Sequence, residues 1–235
     1  VDEKTFIKLV EYLKNNKFIN LNCLSVHIGS QILENKPYEK MLRVVSKLLS
    51  KINYHFEYID LGGGMGIKYH INDKTLNYEK YCKLIRKFKQ LNKCKIIFEP
   101  GRSIIGNAGV LITKIIYLKE SKNKTFVILD AGMNDLMRPA LYGAKHRIIP
   151  EIKKSKKNKK IYEFVGPICE TTDSFMTSSS FQKLIKDDLL VILDTGAYGY
   201  SLSSNYNVRP KPPEILIKNN SINLIQKKEK LENLL

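Results

Sequence analysis

His27-Ile28-Gly29-Ser30, Gly62-Gly63-Gly64 and Glu99-Pro100-Gly101-Arg102 each stand at the C-terminal end of a short apolar run, and their spacing decides the fold. Their first residues lie 35 and then 37 positions apart, with one amphipathic helical stretch in each interval. That is the rhythm of consecutive βα units, which place polar groups where the strands end.

The runs themselves, Leu21 to Val26, His55 to Leu61 and Lys95 to Phe98, are short and apolar enough for buried parallel strands. Between them, Met41, Leu42, Val45, Leu48, Leu49 and Ile52 form a helical stripe behind Pro37, and Tyr78, Tyr81, Ile85 and Phe88 form another. Asp2 is placed to cap an opening helix that carries Phe6, Val10 and Leu13. Beyond Arg102 the pattern changes. Val110 to Leu118, Phe126 to Leu129, Tyr162 to Val165, Leu189 to Leu193 and Ile215 to Ile217 read as strands separated by turn residues, with no convincing helices between them. The expectation is α/β plus all-β. Residues 1–108 form part of a barrel of βα units, and residues 109–235 form a β-barrel or sandwich domain.

Composition narrows the function. The chain is 43% hydrophobic and 27% charged, ordinary for a globular protein. It has no apolar stretch of membrane-spanning length and no signal-peptide pattern at its N-terminus, so a cytoplasmic protein is expected. Cys23, Cys82, Cys94 and Cys169 lack metal-knuckle spacing, so no metal is expected, and they suit a reducing compartment. The net charge of +17 and the run Lys153 to Lys160, with six lysines and no acid, invite a nucleic-acid reading. Only six of the 40 basic residues are arginines, however, and no nucleic-acid motif accompanies them. A solvated lysine-rich surface is the expected reading.

The strand ends carry the chemistry. Three successive glycines let backbone amides approach an anion without a Cβ in the way, although glycines at such turns also serve packing. Ser30 and Arg102 offer further donors to a phosphate. A carboxylate at Glu99 either pairs with Arg102 or holds a proton on a heteroaromatic nitrogen, as a pyridoxal ring requires of its electron sink. His27 is either a core histidine or a flat partner for such a ring.

These residues closely resemble the motifs of the diaminopimelate decarboxylase family. The resemblance is carried by His27-Ile28-Gly29-Ser30-Gln31-Ile32, by Asp60-Leu61-Gly62-Gly63-Gly64-Met65-Gly66-Ile67 and by Glu99-Pro100-Gly101-Arg102-Ser103. It continues through Asp130-Ala131-Gly132-Met133-Asn134-Asp135, Arg138-Pro139-Ala140-Leu141-Tyr142 and Val165-Gly166-Pro167-Ile168-Cys169-Glu170. Gly196-Ala197-Tyr198-Gly199, Ser203 to Asn207 and Arg209-Pro210 complete it in order.

The resemblance implies a pyridoxal 5'-phosphate enzyme whose alanine-racemase-like fold joins a TIM (β/α)8 barrel to a β-domain. It implies release of carbon dioxide from meso-2,6-diaminopimelate to give L-lysine. In that scheme His27 stacks on the pyridoxal ring, while Ser30, Gly62, Gly63, Gly64 and the backbone of Gly101 and Arg102 hold the phosphate. Glu99 bonds the ring nitrogen. Arg102, Arg138, Tyr142, Glu170 and Tyr198 match substrate-binding positions, and Tyr198 also matches a cofactor contact. Cys169 matches the proton donor, acting across a homodimer. A thiol suits that task because its pKa is tunable near neutrality.

One departure is large. Members of the family anchor the cofactor as a Schiff base on a lysine within a segment like Tyr-Ala-Val-Lys-Ala-Asn, and the 235 residues hold no such segment. About three of eight barrel strands are legible, where a whole barrel takes about 250 residues. The expectation is therefore a C-terminal portion that works with a complementing N-terminal half and folds poorly as a lone monomer. The alternatives are an inactive remnant, a related basic amino-acid decarboxylase, or a basic binding or dimerisation module.

Overall fold

The three apolar runs become three parallel strands in the computed structural model, which describes residues 1–154 and 160–234. They are β1 (Cys23–Ser25), β2 (Tyr58–Asp60) and β3 (Lys95–Ile97), in the sheet order β1-β2-β3. One register row runs through Leu24, Ile59 and Ile96. Each ladder is shorter than the run that announced it. Phe56 leaves the line of β2 to enter the core, and Gly62 ends the strand by taking φ +64°.

Helices cover this sheet as their stripes require. Tyr38, Met41, Leu42 and Val45 of α2 (Asn35–Leu49) pack with Tyr81, Ile85 and Phe88 of α3 (Tyr78–Asn92) and with Ile59, which is 0% exposed. Pro37 falls inside the first turn of α2, where its missing N–H costs nothing. Asp2 caps α1 (Glu3–Leu13) by accepting from the Thr5 amide at 3.0 Å, and Asn77 caps α3 by accepting from the Lys80 amide at 2.8 Å. A short α4 (Arg102–Ile105) follows β3.

Six of the remaining strands form one sheet. They are β4 (Leu111–Glu120), β5 (Lys124–Leu129), β6 (Ile148–Pro150), β7 (Ile161–Val165), β8 (Ser174–Ser178) and β9 (Leu189–Ile192), in the order β6-β9-β4-β5-β7-β8. Only β5 and β7 pair in parallel; the other neighbours are antiparallel. Burial alternates along β5, with Thr125, Val127 and Leu129 facing a core that includes Ile115, Phe164, Leu190 and Ile192. Phe164, Tyr162 and Phe181 meet there at ring-centroid distances of 5.0 to 6.4 Å. Separately, β10 (Glu214–Lys218) and β11 (Ser221–Gln226) form a hairpin whose two-residue turn, Asn219-Asn220, has both φ values positive.

Two compact units result, Val1–Ile104 and Ile105–Leu235. The connecting turn belongs to the sheet unit because Gly106 O accepts from Gly196 N at 3.1 Å and Gly109 O accepts from Thr195 N at 2.9 Å.

The second unit holds one helix that the sequence reading did not expect, α5 (Arg138–Tyr142). It starts with Pro139 in its first turn and stops at Gly143, which takes φ +60° and donates to Pro139 O at 3.0 Å. Five residues are too few for an apolar period to show. Strands β6, β8 and β11 were also unread. The first is three residues long and ends at Pro150, and the second is rich in Ser and Thr at a sheet edge. Of the lysine run Lys153 to Lys160, positions 155–159 lie outside the described residues. Among the described residues no helix is long and apolar enough to cross a membrane.

Candidate active site

The strand ends of the first unit converge on the glycine loop. Asp60, the last residue of β2, is buried; its Oδ1 accepts from Gly62 N at 2.8 Å and its Oδ2 from Ser25 Oγ at 3.2 Å. Gly63 N faces His27 Nδ1 at 3.4 Å, and Tyr38 Oη donates to Gly63 O at 3.3 Å. Burial pushes the Tyr38 hydroxyl up to about 12, which keeps it a neutral donor.

Packing alone demands these glycines. A Cβ on Gly63 would stand 2.2 Å from Glu99 O, and one on Gly64 2.2 Å from Gly29 O. The three strand ends are thus drawn together closely enough that only hydrogen fits between them. With Gly62 N bonded to Asp60 and Gly63 N directed at His27 Nδ1, the loop amide left to face a ligand is that of Gly64.

Arg102 crosses the same rim. Its Nη1 donates to Tyr69 Oη at 2.6 Å and its Nη2 to Ser30 Oγ at 3.1 Å, with the guanidinium 5.7 Å from the Tyr69 ring centre. The reading of Glu99 as an ion-pair partner of Arg102 is not met: Glu99 is exposed and makes no ion pair among the described residues. His27 is likewise exposed and is no core histidine. Gln31 braces the rim from outside the predicted set, its Nε2 donating to Ile67 O at 2.6 Å and its Oε1 accepting from Ile67 N at 3.3 Å. Tyr69 and Gln31 were missed because each is an ordinary residue until the fold brings it to a partner.

In the second unit, α5 carries Arg138 and Tyr142. Arg138 is 6% exposed, and its Nη1 lies 2.7 Å from Nε2 of the buried His146. His146 Nδ1 is 2.9 Å from Leu193 O, a carbonyl that only accepts, so the imidazole proton sits on Nδ1 and Nε2 is left to accept from Arg138. Tyr142 is exposed. Cys169 and Glu170 are exposed as well, so Cys169 is no packing cysteine; Glu170 Oε1 accepts from Thr171 N at 2.9 Å. Tyr198 holds φ +59°, a backbone state that a bulky residue adopts only under constraint. Asp194 in the same segment has φ +61° and pairs with Arg147 at 2.9 Å. No group of three or more His, Cys, Asp or Glu among the described residues is arranged to hold a metal ion.

The chain is similar to known proteins. Residues 12–196 match the family model described as pyridoxal-dependent decarboxylase, C-terminal sheet domain. A diaminopimelate decarboxylase of Aquifex aeolicus is 43% identical over 235 residues, covering 97% of this chain and 55% of that protein. Another, from Zymomonas mobilis, is 40% identical over 96% of this chain and 54% of its own length. Among solved structures, diaminopimelate decarboxylase from Helicobacter pylori complexed with L-lysine superposes with a TM-score of 0.91 at 37% identity, covering 100% of this chain and 58% of that one. The chain therefore spans little more than half the length of these relatives. Since the family model covers most of its residues in a single match, the chain belongs to the pyridoxal-dependent decarboxylases.

Proposed function

We propose that this chain supplies the C-terminal part of an enzyme that converts meso-2,6-diaminopimelate to L-lysine and carbon dioxide, the last step of lysine biosynthesis. In this reading residues 1–108 are the last strands of a TIM (β/α)8 barrel, and residues 109–235 bind substrate and dimerise. The observation that carries it is the rim of the first unit, where Arg102 meets Ser30 and Tyr69 beside the glycine loop. A guanidinium, a hydroxyl and the Gly64 amide at one set of strand ends form a donor set suited to a phosphate dianion. The rim therefore fits pyridoxal 5'-phosphate.

When bound, that group supplies an electron sink for the pair left behind as carbon dioxide departs. The chain's own residues do the rest. Arg102, Ser30, the Gly64 amide and the backbone of Gly101 hold the phosphate, with Gly62 and Gly63 shaping the loop around it. Glu99, exposed on the same rim, keeps a proton on the ring nitrogen by accepting its hydrogen bond. His27 lies against the ring face. Cys169 delivers a proton from Sγ to the carbon that lost its carboxylate.

Glu170 meets the distant ammonium group of the substrate, and Arg138 grips the distant carboxylate. Because Arg138 is nearly buried, that pairing is desolvated and strongly selective for a second carboxylate. Tyr142 and Tyr198 match the family's substrate-binding positions, and Tyr198 matches a cofactor contact as well. A homodimer shares the site across subunits, and a lysine-bearing N-terminal half supplies the covalent anchor. Four free cysteines accord with a cytoplasmic location.

The test is reconstitution. The chain, alone and with a barrel segment carrying the anchor lysine, is assayed for pyridoxal absorbance and for lysine formed from meso-diaminopimelate. Lysine formed only by the pair is expected. A reconstituted enzyme that prefers ornithine or arginine overturns the substrate, and lysine from the chain alone overturns the need for the missing anchor.

A further inference from the structure

Asp173 is a buried carboxylate that no step above uses. It is 4% exposed, its Oδ2 accepts from Ile168 N at 2.7 Å and its Oδ1 accepts from Met133 N at 2.7 Å. Those amides belong to two different loops. Ile168 immediately precedes Cys169 and Glu170, and Met133 lies on the loop that leads into α5 and Arg138. The Asp173 backbone closes the first loop on itself: its O accepts from Gly166 N at 3.0 Å, and its N donates to Glu170 O at 3.1 Å.

The loop's other bonds are local, Glu170 N donating to Ile168 O at 2.8 Å, Ser174 N to Thr172 O at 2.8 Å and Thr171 N to Glu170 Oε1 at 2.9 Å. Cys169, Glu170, Thr171 and Thr172 are all exposed, and Ile168 is its buried apolar residue. Among the described residues the two loops also meet where the Ile168 and Pro167 side chains crowd Gly132, and in a long contact of 3.8 Å from Thr172 Oγ1 to Met133 Sδ. Even the glycine beside it is shaped to the carboxylate, since a Cβ on Gly166 would lie 2.3 Å from one Asp173 oxygen and 2.4 Å from the other. Burial pushes the Asp173 carboxyl up, while the Ile168 and Met133 amides and the charge of Arg209 pull it down.

We propose that Asp173 is a positioning residue for Cys169 and Glu170, its carboxylate clasping their turn to the loop that carries Arg138. The clasp fixes where the thiol and the acid stand relative to the start of α5. Its bearing on proton delivery rests on the proposed function; the clasp itself does not.

The test uses the full chain with Asp173→Asn, which keeps the shape but turns one acceptor oxygen into an amide donor facing a backbone N–H. Amide exchange is read at Ile168 and Met133, and pulsed alkylation is read peptide by peptide at Cys169, with exposed Cys82 as internal reference. The expected result is exchange about tenfold faster at those two amides, with Val127 and Phe164 of the sheet unchanged. Cys169 alkylation is expected to shift about threefold while Cys82 stays constant. Gly166→Ala, which displaces the carboxylate without removing it, should shift Cys169 the same way; it decides the matter if Asp173→Asn loosens the whole sheet. Unchanged exchange at Ile168 and Met133, or an unchanged Cys169 rate in the folded variant, overturns the clasp. If Cys169→Ser leaves lysine formation in the reconstituted enzyme intact while Asp173→Asn still moves Cys169 alkylation, the proposed proton donor falls and the clasp stands.

Discussion

At the scale of single residues, glycines with the same sequence identity have different physical jobs. A methyl on Gly63 would meet Glu99 O, a backbone atom with nowhere to go, whereas a methyl on Gly143 meets nothing within 4 Å. Gly63→Ala should therefore cost about 2 kcal/mol or more in urea unfolding, because two strand ends must part. Gly143→Ala should cost only the backbone term, about 1 kcal/mol. Arg102 makes a second contrast, since it reaches Tyr69 and Ser30 with two different nitrogens. A lysine has no such fork, so Arg102→Lys should weaken pyridoxal phosphate binding by about tenfold, read by titrating cofactor fluorescence in the reconstituted enzyme.

At the scale of elements, legibility followed how much of an element's reason for existing was local. Helices α2 and α3 were readable because their stripes repeat over 15 residues, and the 11-residue α1 because Asp2 is a side chain next to the chain it caps, whereas the four-residue α4 is too short to show a period. The strand ends were readable because glycine, histidine and glutamate interrupt apolar runs at helix-length intervals. By contrast, α5 is five residues long, and β6 and β8 exist because a neighbouring strand offers them a ladder. The same holds inside the site. Cys169, Glu170 and Arg138 stood out as motif members, but His146 and Asp173 gained their roles only from Leu193, Arg138, Ile168 and Met133. The Asn219-Asn220 turn and the Asn77 cap were local signals available and unused, since adjacent asparagines between apolar residues suit a two-residue hairpin and an asparagine before a helical stripe suits its N-cap.

At the scale of the whole molecule, pH and association set the behaviour. Burial raises the Asp135 carboxyl above its usual 3.8, so the fold prefers its neutral form. Its contribution is fully present below the unfolded pKa and is lost as pH rises through the folded one. Asp73 acts in the opposite sense, held below 3.8 chiefly by the His70 amide, so its contribution is lost as pH falls. Unfolding wild type and Asp135→Asn at about pH 3 and about pH 7 should show the variant gaining relative to wild type at the higher value. Ile97 at the end of β3 and Phe98 after it are about 40% exposed, and the apolar residues on both faces of the β10–β11 hairpin are more so. Sedimentation of the isolated chain should therefore show self-association that grows with concentration, whereas a clean monomer at all concentrations would mean these faces need no cover. The parallel sheet adds one more consequence. Both β1 and β3 are edge strands, so a foreign N-terminal segment grafted onto this chain must hydrogen-bond to them in the row set by Leu24, Ile59 and Ile96. An added strand whose own apolar pattern is shifted by one residue against that row would turn its apolar side chains to the wrong face, so shifting the pattern by two residues should be tolerated better than shifting it by one.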